Sequence, residues 1–367
     1  WYSLLKQKEI DLIISSDMPH ETQDYIAYSL GEIFEIKRCF ISQNSIHQFY
    51  QILKDIDVND DRLNNYKELN LPNDKIINPI IAEYYKAQLD ENYIPFYMKE
   101  NSSAFPDTYR KVTFKIYFNK VLNRINYFFK NKLFLVNNMI NFLYKKNNYG
   151  SVADKKIIKF YNKNAINPDF SKKYIYIPLH FQPERTTCPQ GKLFVFQEIM
   201  IKMISEAIPD DWVIYVKEHP FQMSRGRRIA FYKNILELKN INFVSRQTKS
   251  SSLIINSKAV SVICGTSGWE SIFYKKPVLV FGNIFFKYLD GAFEIKTNKE
   301  LKKVLEKINS DKIILDNNNI IQFLNCCDRY FFQGAIDGHY FDNCELDWET
   351  NLDLLCKNIN TFIYKND

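Results

Sequence analysis

Between residues 174 and 281 short apolar runs alternate with stretches of helical spacing, and this alternation restricts the fold more than any other feature of the chain. Residues 174–178, 212–217, 241–244, 260–264 and 278–281 each read as a short buried strand. Residues 193–207, 228–236, 251–255 and 269–274 read as the helices between them. Strands and helices in strict alternation with short loops call for a parallel, doubly wound α/β sheet. In such sheets a ligand sits at the carboxyl ends of the strands. The unusual polar clusters of this chain fall just after a predicted strand.

The first half repeats the theme less regularly. Residues 11–15 read as a strand, residues 19–35 as a helix with Ile26, Leu30, Ile33 and Phe34 on one face, and residues 37–42 as the next strand. Residues 45–100 read as helices broken by Asn/Asp-rich turns such as Leu71-Pro72-Asn73-Asp74. Residues 108–153 then contain no Asp or Glu, while Arg110, Lys111, Arg124, Lys130 and their basic neighbours interleave with Tyr and Phe. Such a segment suits an amphipathic helical surface against anionic lipid or a lipid-linked ligand. It equally suits an ordinary helix pair whose aromatic face is core. The tail, with Leu346, Trp348, Leu352, Leu355 and Ile359 as apolar points, predicts a closing helix that crosses back to the first domain. Three units follow: residues 1–170, residues 171–330, and the closing helix within 331–367.

Composition narrows the class. Seven scattered cysteines, with no C-x-x-C pair and with Cys326 beside Cys327, predict a reducing compartment. Five histidines, none three or four residues from another, give a metal site little support. No run approaches the ~18 apolar residues that span a bilayer. The chain opens on Trp1 and reads as an excised piece whose upstream structure is missing. A net charge of +7 allows an anionic partner without requiring one, and no nucleic-acid recognition module is present.

Four constellations carry chemistry. The run Pro178-Leu-His180-Phe-Gln182-Pro183-Glu184-Arg185-Thr186-Thr187 would be costly to bury after a strand unless it lined a cleft. His180, Gln182, Glu184 and Arg185 suit sugar hydroxyls and phosphate; the alternative is a plain surface loop. In Lys217-Glu218-His219-Pro220 an imidazole and an ammonium follow a strand, where they can stabilise charge building on a leaving phosphate. In Cys264-Gly265-Thr266-Ser267-Gly268-Trp269-Glu270 two glycines admit close approach. Thr266 and Ser267 are placed to cap the following helix, whose free amides bind phosphate, and Glu270 is placed to accept from a ribose. It is neither a Walker A loop nor a Gly-x-Gly-x-x-Gly fingerprint. Finally Ser16-Asp17-Met18-Pro19-His20-Glu21 follows the first strand, and His20 or Glu21 is placed to deprotonate an acceptor hydroxyl. Helix capping by Asp17 explains that turn as well.

The order Tyr176-Ile-Pro178-Leu-His180-Phe-Gln182-Pro183-Glu184, then Val216-Lys217-Glu218-His219-Pro220, then Gly265-Thr266-Ser267-Gly268-Trp269-Glu270 with Lys276-Pro277, resembles the bacterial capsule polysaccharide biosynthesis proteins. These include the β-Kdo transferases that build the glycolipid linker of capsules. The resemblance implies a GT-B fold of two Rossmann-like domains, residues 1–170 on the acceptor side and 171–330 on the nucleotide-sugar side. It implies a CMP-activated donor of Kdo or a related acid sugar, a glycolipid or glycan acceptor, no metal and no cofactor. Gln182-Pro183 and His219-Pro220 would line the donor cleft, with His219, Ser267 and Glu270 at the phosphate or ribose. A metal-independent glycosyltransferase held at the cytoplasmic membrane face is the expected function. The Lys-Glu-His-Pro and Thr-Ser-Gly elements also resemble CDP-glycerol-dependent glycerophosphotransferases. A nucleotide-sugar epimerase and a non-catalytic nucleotide-binding assembly protein remain alternatives.

Overall fold

The structure, a computed structural model, describes residues 1–7, 9–46, 48–56, 60–93, 152–220, 222, 227–336, 338–341 and 344–364. The basic, aromatic segment read at 108–153 lies outside the described residues, apart from its last two positions.

The second half forms a seven-stranded, wholly parallel sheet. Its strands are β4 (Ala165–Ile166), β5 (Tyr174–Pro178), β6 (Val213–Lys217), β7 (Ile241–Val244), β8 (Ala259–Val262), β9 (Val278–Val280) and β10 (Ala292–Glu294), in the spatial order β10-β9-β8-β5-β6-β7-β4. The α/β class expected from the alternation is what the chain adopts. Both faces are covered, which explains why the strands read as unbroken apolar runs. On β5 the side chains of Ile175 and Ile177 join Met200, Ile201, Tyr232 and Leu305 in one core, while those of Tyr174 and Tyr176 join Trp269, Ile272, Phe285 and Phe323 in the other. That split is the two-residue period of a strand.

Strand order reverses between β5 and β8, where successive connections leave in opposite directions and open a crevice above the carboxyl ends. The helix Thr266–Phe273 follows β8, and Gly268 lets it lie close to the sheet. A Cβ there would come within 2.6 Å of Val262 Cγ2 and 3.1 Å of Val278 Cγ1.

The first sheet has the order β1-β2-β3-β11 (Leu12–Ser15, Lys37–Gln43, Phe49–Leu53 and Phe332–Gln333). β1 and β2 are parallel with the helix Thr22–Ile33 between them, as read from the sequence, but β3 runs antiparallel to β2 and β11 antiparallel to β3. The sheet is therefore mixed. β3 falls within the stretch expected to be helical. Its five residues are all buried, so it offers no polar–apolar alternation to mark a strand. Phe40 and Leu53 pack with Tyr28 and Met18 on one face; Cys39, Ile41, Tyr50 and Ile52 pack with Leu355, Ile359 and Phe362 of the final helix, Trp348–Tyr364, on the other.

The two sheets are bound together by residues 60–93, which pack onto the second. Leu63, Tyr66, Ile81 and Tyr84 join the core around Trp269 and the helix Asn317–Tyr330, and Trp269 Nε1 donates to the Tyr84 hydroxyl at 2.8 Å. The helix Pro79–Gln88 is started by Asn78, whose side chain accepts from the Ile80 amide.

Candidate functional site

A cleft of about 1150 Å³ opens above the carboxyl ends of β4 to β7 and the start of the helix after β8. Each strand contributes the residues that follow it. β6 presents Lys217 and His219-Pro220, β7 presents Ser245 to Ser251, and the helix Thr266–Phe273 presents Thr266, Ser267 and Glu270. Gln88 and Glu91 to Tyr93 form the wall supplied by the first half of the chain.

The helix begins at Thr266, three residues earlier than the sequence suggested, with Gly265 as its N-cap and no side-chain cap. Thr266 and Ser267 are thus not caps but the first two helical positions. Their amides belong to the orphan donors of a helix start, a natural seat for phosphate. One turn on, Glu270 reaches the cleft floor. Burial pushes its carboxyl up to about 7, against the opposing pull of the Thr266 hydroxyl and the Lys217 charge.

Lys217 is buried and donates to the Thr248 carbonyl at 2.6 Å and to Ser250 Oγ at 3.0 Å. Burial pulls its ammonium down to about 8, with Glu270 opposing and Arg246 assisting. His219 is pulled down to about 4, chiefly by burial and then by the charges of Arg227, Arg246 and Lys217. Its ring is neutral at pH 7 until an anion arrives, and a phosphate beside it would favour the protonated form. Arg246 lines the same wall, its guanidinium donating to the Pro220 carbonyl.

Lys217, His219, Thr266, Ser267 and Glu270 are therefore brought together, as the motif order suggested. Other candidates stand elsewhere. The His180 ring lies beneath the Gly265 turn, at the strand-order reversal. Its Nε2 accepts from the Cys264 amide at 3.2 Å, and a Cβ on Gly265 would approach that nitrogen to 2.9 Å. Burial first, then Arg227 and His219, pulls its imidazole down to about 3. Gln182 spends its side chain on the Val195 carbonyl at 2.6 Å, and its backbone exchanges two bonds with the Gln222 amide group at 2.8 and 3.0 Å. It fastens a loop and does not line the cleft. Glu184 is exposed and accepts from the Thr186 hydroxyl at 2.6 Å. Arg185 is paired with Asp17, joining the loop after β5 to the loop after β1. His20 turns Nδ1 to the Met18 carbonyl at 2.7 Å, and Glu21 is exposed at the N-cap of the helix Thr22–Ile33. Neither lines the cleft. Gly265 and Gly268 act by admitting close approach, not by facing the opening.

Sequence reasoning offered Ser250 to Ser252 as hydroxyls for the ligand or as a plain helix start, but missed Arg246 and the residues up to Lys249. The available signal was Ser245-Arg246-Gln247-Thr248-Lys249-Ser250, a polar and basic run directly after a buried strand. Among the described residues no group of three His, Cys, Asp or Glu side chains is placed to hold a metal, and no helix is long and apolar enough to cross a membrane.

This geometry coincides with a sequence match. Residues 185–291 match the family model described as capsule polysaccharide biosynthesis protein. The match spans less than a third of the chain, but it takes in Lys217, His219, Arg246 and the whole Gly265–Glu270 turn. Over that stretch it bears out the resemblance to capsule polysaccharide biosynthesis proteins read from the motifs. Curated proteins gave no match. Among solved structures, the β-Kdo 2,4 transferase of KpsC from Thermosulfurimonas dismutans is similar at 9% identity and a TM-score of 0.39, over 89% of this chain and 82% of that one. The β-Kdo 2,7 transferase of the same KpsC is similar at 15% identity and a TM-score of 0.33, over 51% of this chain and 55% of that one. The UDP-GlcNAc 2-epimerase of Methanocaldococcus jannaschii is similar at 17% identity and a TM-score of 0.33, over 48% of each chain. The alignment thus spans about half the length of these last two proteins.

Proposed function

We propose that the protein is a GT-B glycosyltransferase of surface polysaccharide assembly, taking its sugar from a nucleotide-activated donor. The observation that carries the proposal is the cleft, where Lys217, Arg246, His219 and the amide end of the helix Thr266–Phe273 converge beside Glu270. Fixed cations and backbone amides aimed at one opening suit the phosphate of a nucleotide, and a carboxyl one helical turn away suits a ribose hydroxyl.

In the transfer an acceptor hydroxyl oxygen bonds to the anomeric carbon while the bond from that carbon to phosphate oxygen breaks. The bonding pair leaves with the nucleotide, and the hydroxyl proton passes to a base. Lys217, Arg246 and the helix amides would meet the charge appearing on the phosphate. His219, neutral beforehand, would donate a ring N–H to a phosphate oxygen as that charge grows. The donor we favour is a CMP-activated acid sugar such as Kdo, on the strength of the motif order and the family match, and the acceptor is a glycolipid or glycan at the cytoplasmic membrane face. His20 and Glu21 would serve as acceptor base only if the acceptor bridged from their turn, beside the Asp17–Arg185 contact, to the cleft.

Thermal denaturation with CMP, CDP, CDP-glycerol, UDP, GDP and ADP, on the wild type and on His219→Ala, tests the reading. A nucleotide at about 100 times its Kd adds about 2.7 kcal/mol of stability. A shift with CMP that shrinks in the variant supports it. A shift with UDP alone points to another donor or to an epimerase, one with CDP-glycerol alone to glycerophosphate transfer. Binding without turnover of donor and acceptor points to an assembly protein, and no shift with any nucleotide refutes the proposal.

A further inference from the structure

Directly after Lys217 the chain buries a second charged residue, Glu218, only 3% exposed. It forms an ion pair with Arg227, which is likewise 3% exposed. The carboxylate is satisfied on both oxygens. Oε1 accepts from the His219 amide at 2.6 Å and from Arg227 Nη1, and Oε2 accepts from the Tyr232 hydroxyl at 2.5 Å. The other arm of Arg227 donates to the His180 carbonyl. The Glu218 amide donates to the Tyr161 hydroxyl at 3.0 Å, and that hydroxyl donates in turn to the Val244 carbonyl at 2.7 Å. Glu218 therefore connects the residues that leave β5 and β6 through its carboxylate, and the end of β7 through its backbone amide, beside the cleft.

Apolar side chains of similar volume often replace a buried ion pair without loss of stability, because two charges are costly to desolvate. What the ion pair offers instead is direction. A guanidinium fork and a carboxylate meet at fixed angles, and here one arm of Arg227 also holds the His180 carbonyl while Oε1 of Glu218 also holds the His219 amide, in two loops that border the site.

We propose that Glu218, braced by Arg227 and Tyr232, is a positioning residue that sets the His219 turn for the phosphate of the donor. The proposal rests on the reading of His219 as a ligand of that phosphate. Glu218 does not itself act on the substrate; it acts through the His219 amide it holds.

The test is a double-mutant cycle on nucleotide affinity, joined to a ligand-free measurement on the same proteins. The isosteric Glu218→Gln keeps the volume and removes the charge; Tyr232→Phe removes one hydrogen bond and is the milder variant if the first fails to fold. With the nucleotide that stabilises the wild type, both are measured alone and combined with His219→Ala, at a temperature where every protein is folded. Residues of one network couple, so Glu218→Gln should weaken binding about tenfold, and His219→Ala should add less than about twofold on top of it. If the two losses simply multiply, Glu218 does not act through His219 and the proposal falls.

The ligand-free arm uses proteins labelled at histidine, with the His219 ring signals assigned by their loss in His219→Ala. Those signals should move in both Glu218→Gln and Tyr232→Phe. Unmoved signals with an unaltered titration would overturn the proposal even if stability dropped, since a merely structural brace lowers stability alone. If no nucleotide binds the wild type, the glycosyltransferase reading fails while this second arm still decides the positioning.

Discussion

Glu270 ties stability to pH in a way that can be worked out. In the unfolded chain its carboxyl titrates near the ordinary 4.5, whereas burial at the cleft floor raises it to about 7 in the folded protein. Between those values the folded state holds a proton that the unfolded state has lost. The stability associated with that proton is fully present below about 4.5 and is lost as pH rises through about 7. The difference corresponds to about 3 kcal/mol, an upper figure because the side chain is partly open to the cleft. Glutamine mimics the protonated acid, so Glu270→Gln removes the titration without removing the shape. Urea denaturation of both proteins should give nearly equal stability at about pH 5, and a variant more stable than wild type by about 2 kcal/mol at about pH 8. The Lys217 attraction is already contained in the raised value of the carboxyl, so it does not reverse the sign. A difference between the two proteins that stays constant from about pH 5 to about pH 8 would refute the burial argument.

Two further outcomes are expected. Arg246→Met should keep the fold, since much of the side chain is hydrocarbon, yet weaken binding of the stabilising nucleotide about tenfold or more by calorimetric titration, through loss of a cation on the cleft wall. Gly268→Ala gains about 1 kcal/mol of helix propensity but drives a methyl group against Val262, Val278 and Phe286, a clash worth about 1–3 kcal/mol; the net loss, up to about 2 kcal/mol, should appear in thermal denaturation.

The sequence was most legible where one signal dominated. β5 to β9 could be placed to within a residue or two because each is a short apolar run closed by a polar turn, and the order of those turns located the cleft. β3 was not legible, since Phe49 to Leu53 carries neither alternation nor a breaker, and the two-residue strands β4 and β11 exist only through their neighbours. Within the site, a residue type after a strand indicated proximity but not direction. Lys217 and His219 do face the opening, whereas His180, in an equivalent position after β5, lies beneath the Gly265 turn because that glycine leaves room for a ring. Gln182 looked like a sugar ligand from its neighbours, yet its amide was already committed to a carbonyl thirteen residues away. Arg246 went unnoticed because its loop carries no recognisable motif; only the assembled sheet shows that β7 ends beside β6.

The way β11 and the final helix complete the first sheet has a consequence for biosynthesis. β3 finds its outer partner in Phe332–Gln333, and the apolar face of Cys39, Ile41, Tyr50 and Ile52 is closed by Leu355, Ile359 and Phe362. A ribosome delivers the chain from its amino end, so β1 to β3 emerge with a raw edge and a greasy face, and wait for the whole second sheet to follow before either is covered. Until then those surfaces are open to chaperones or to other nascent chains. A message cut before the codons for Phe332 to Phe362 would therefore release a product whose second sheet is whole but whose first is sticky.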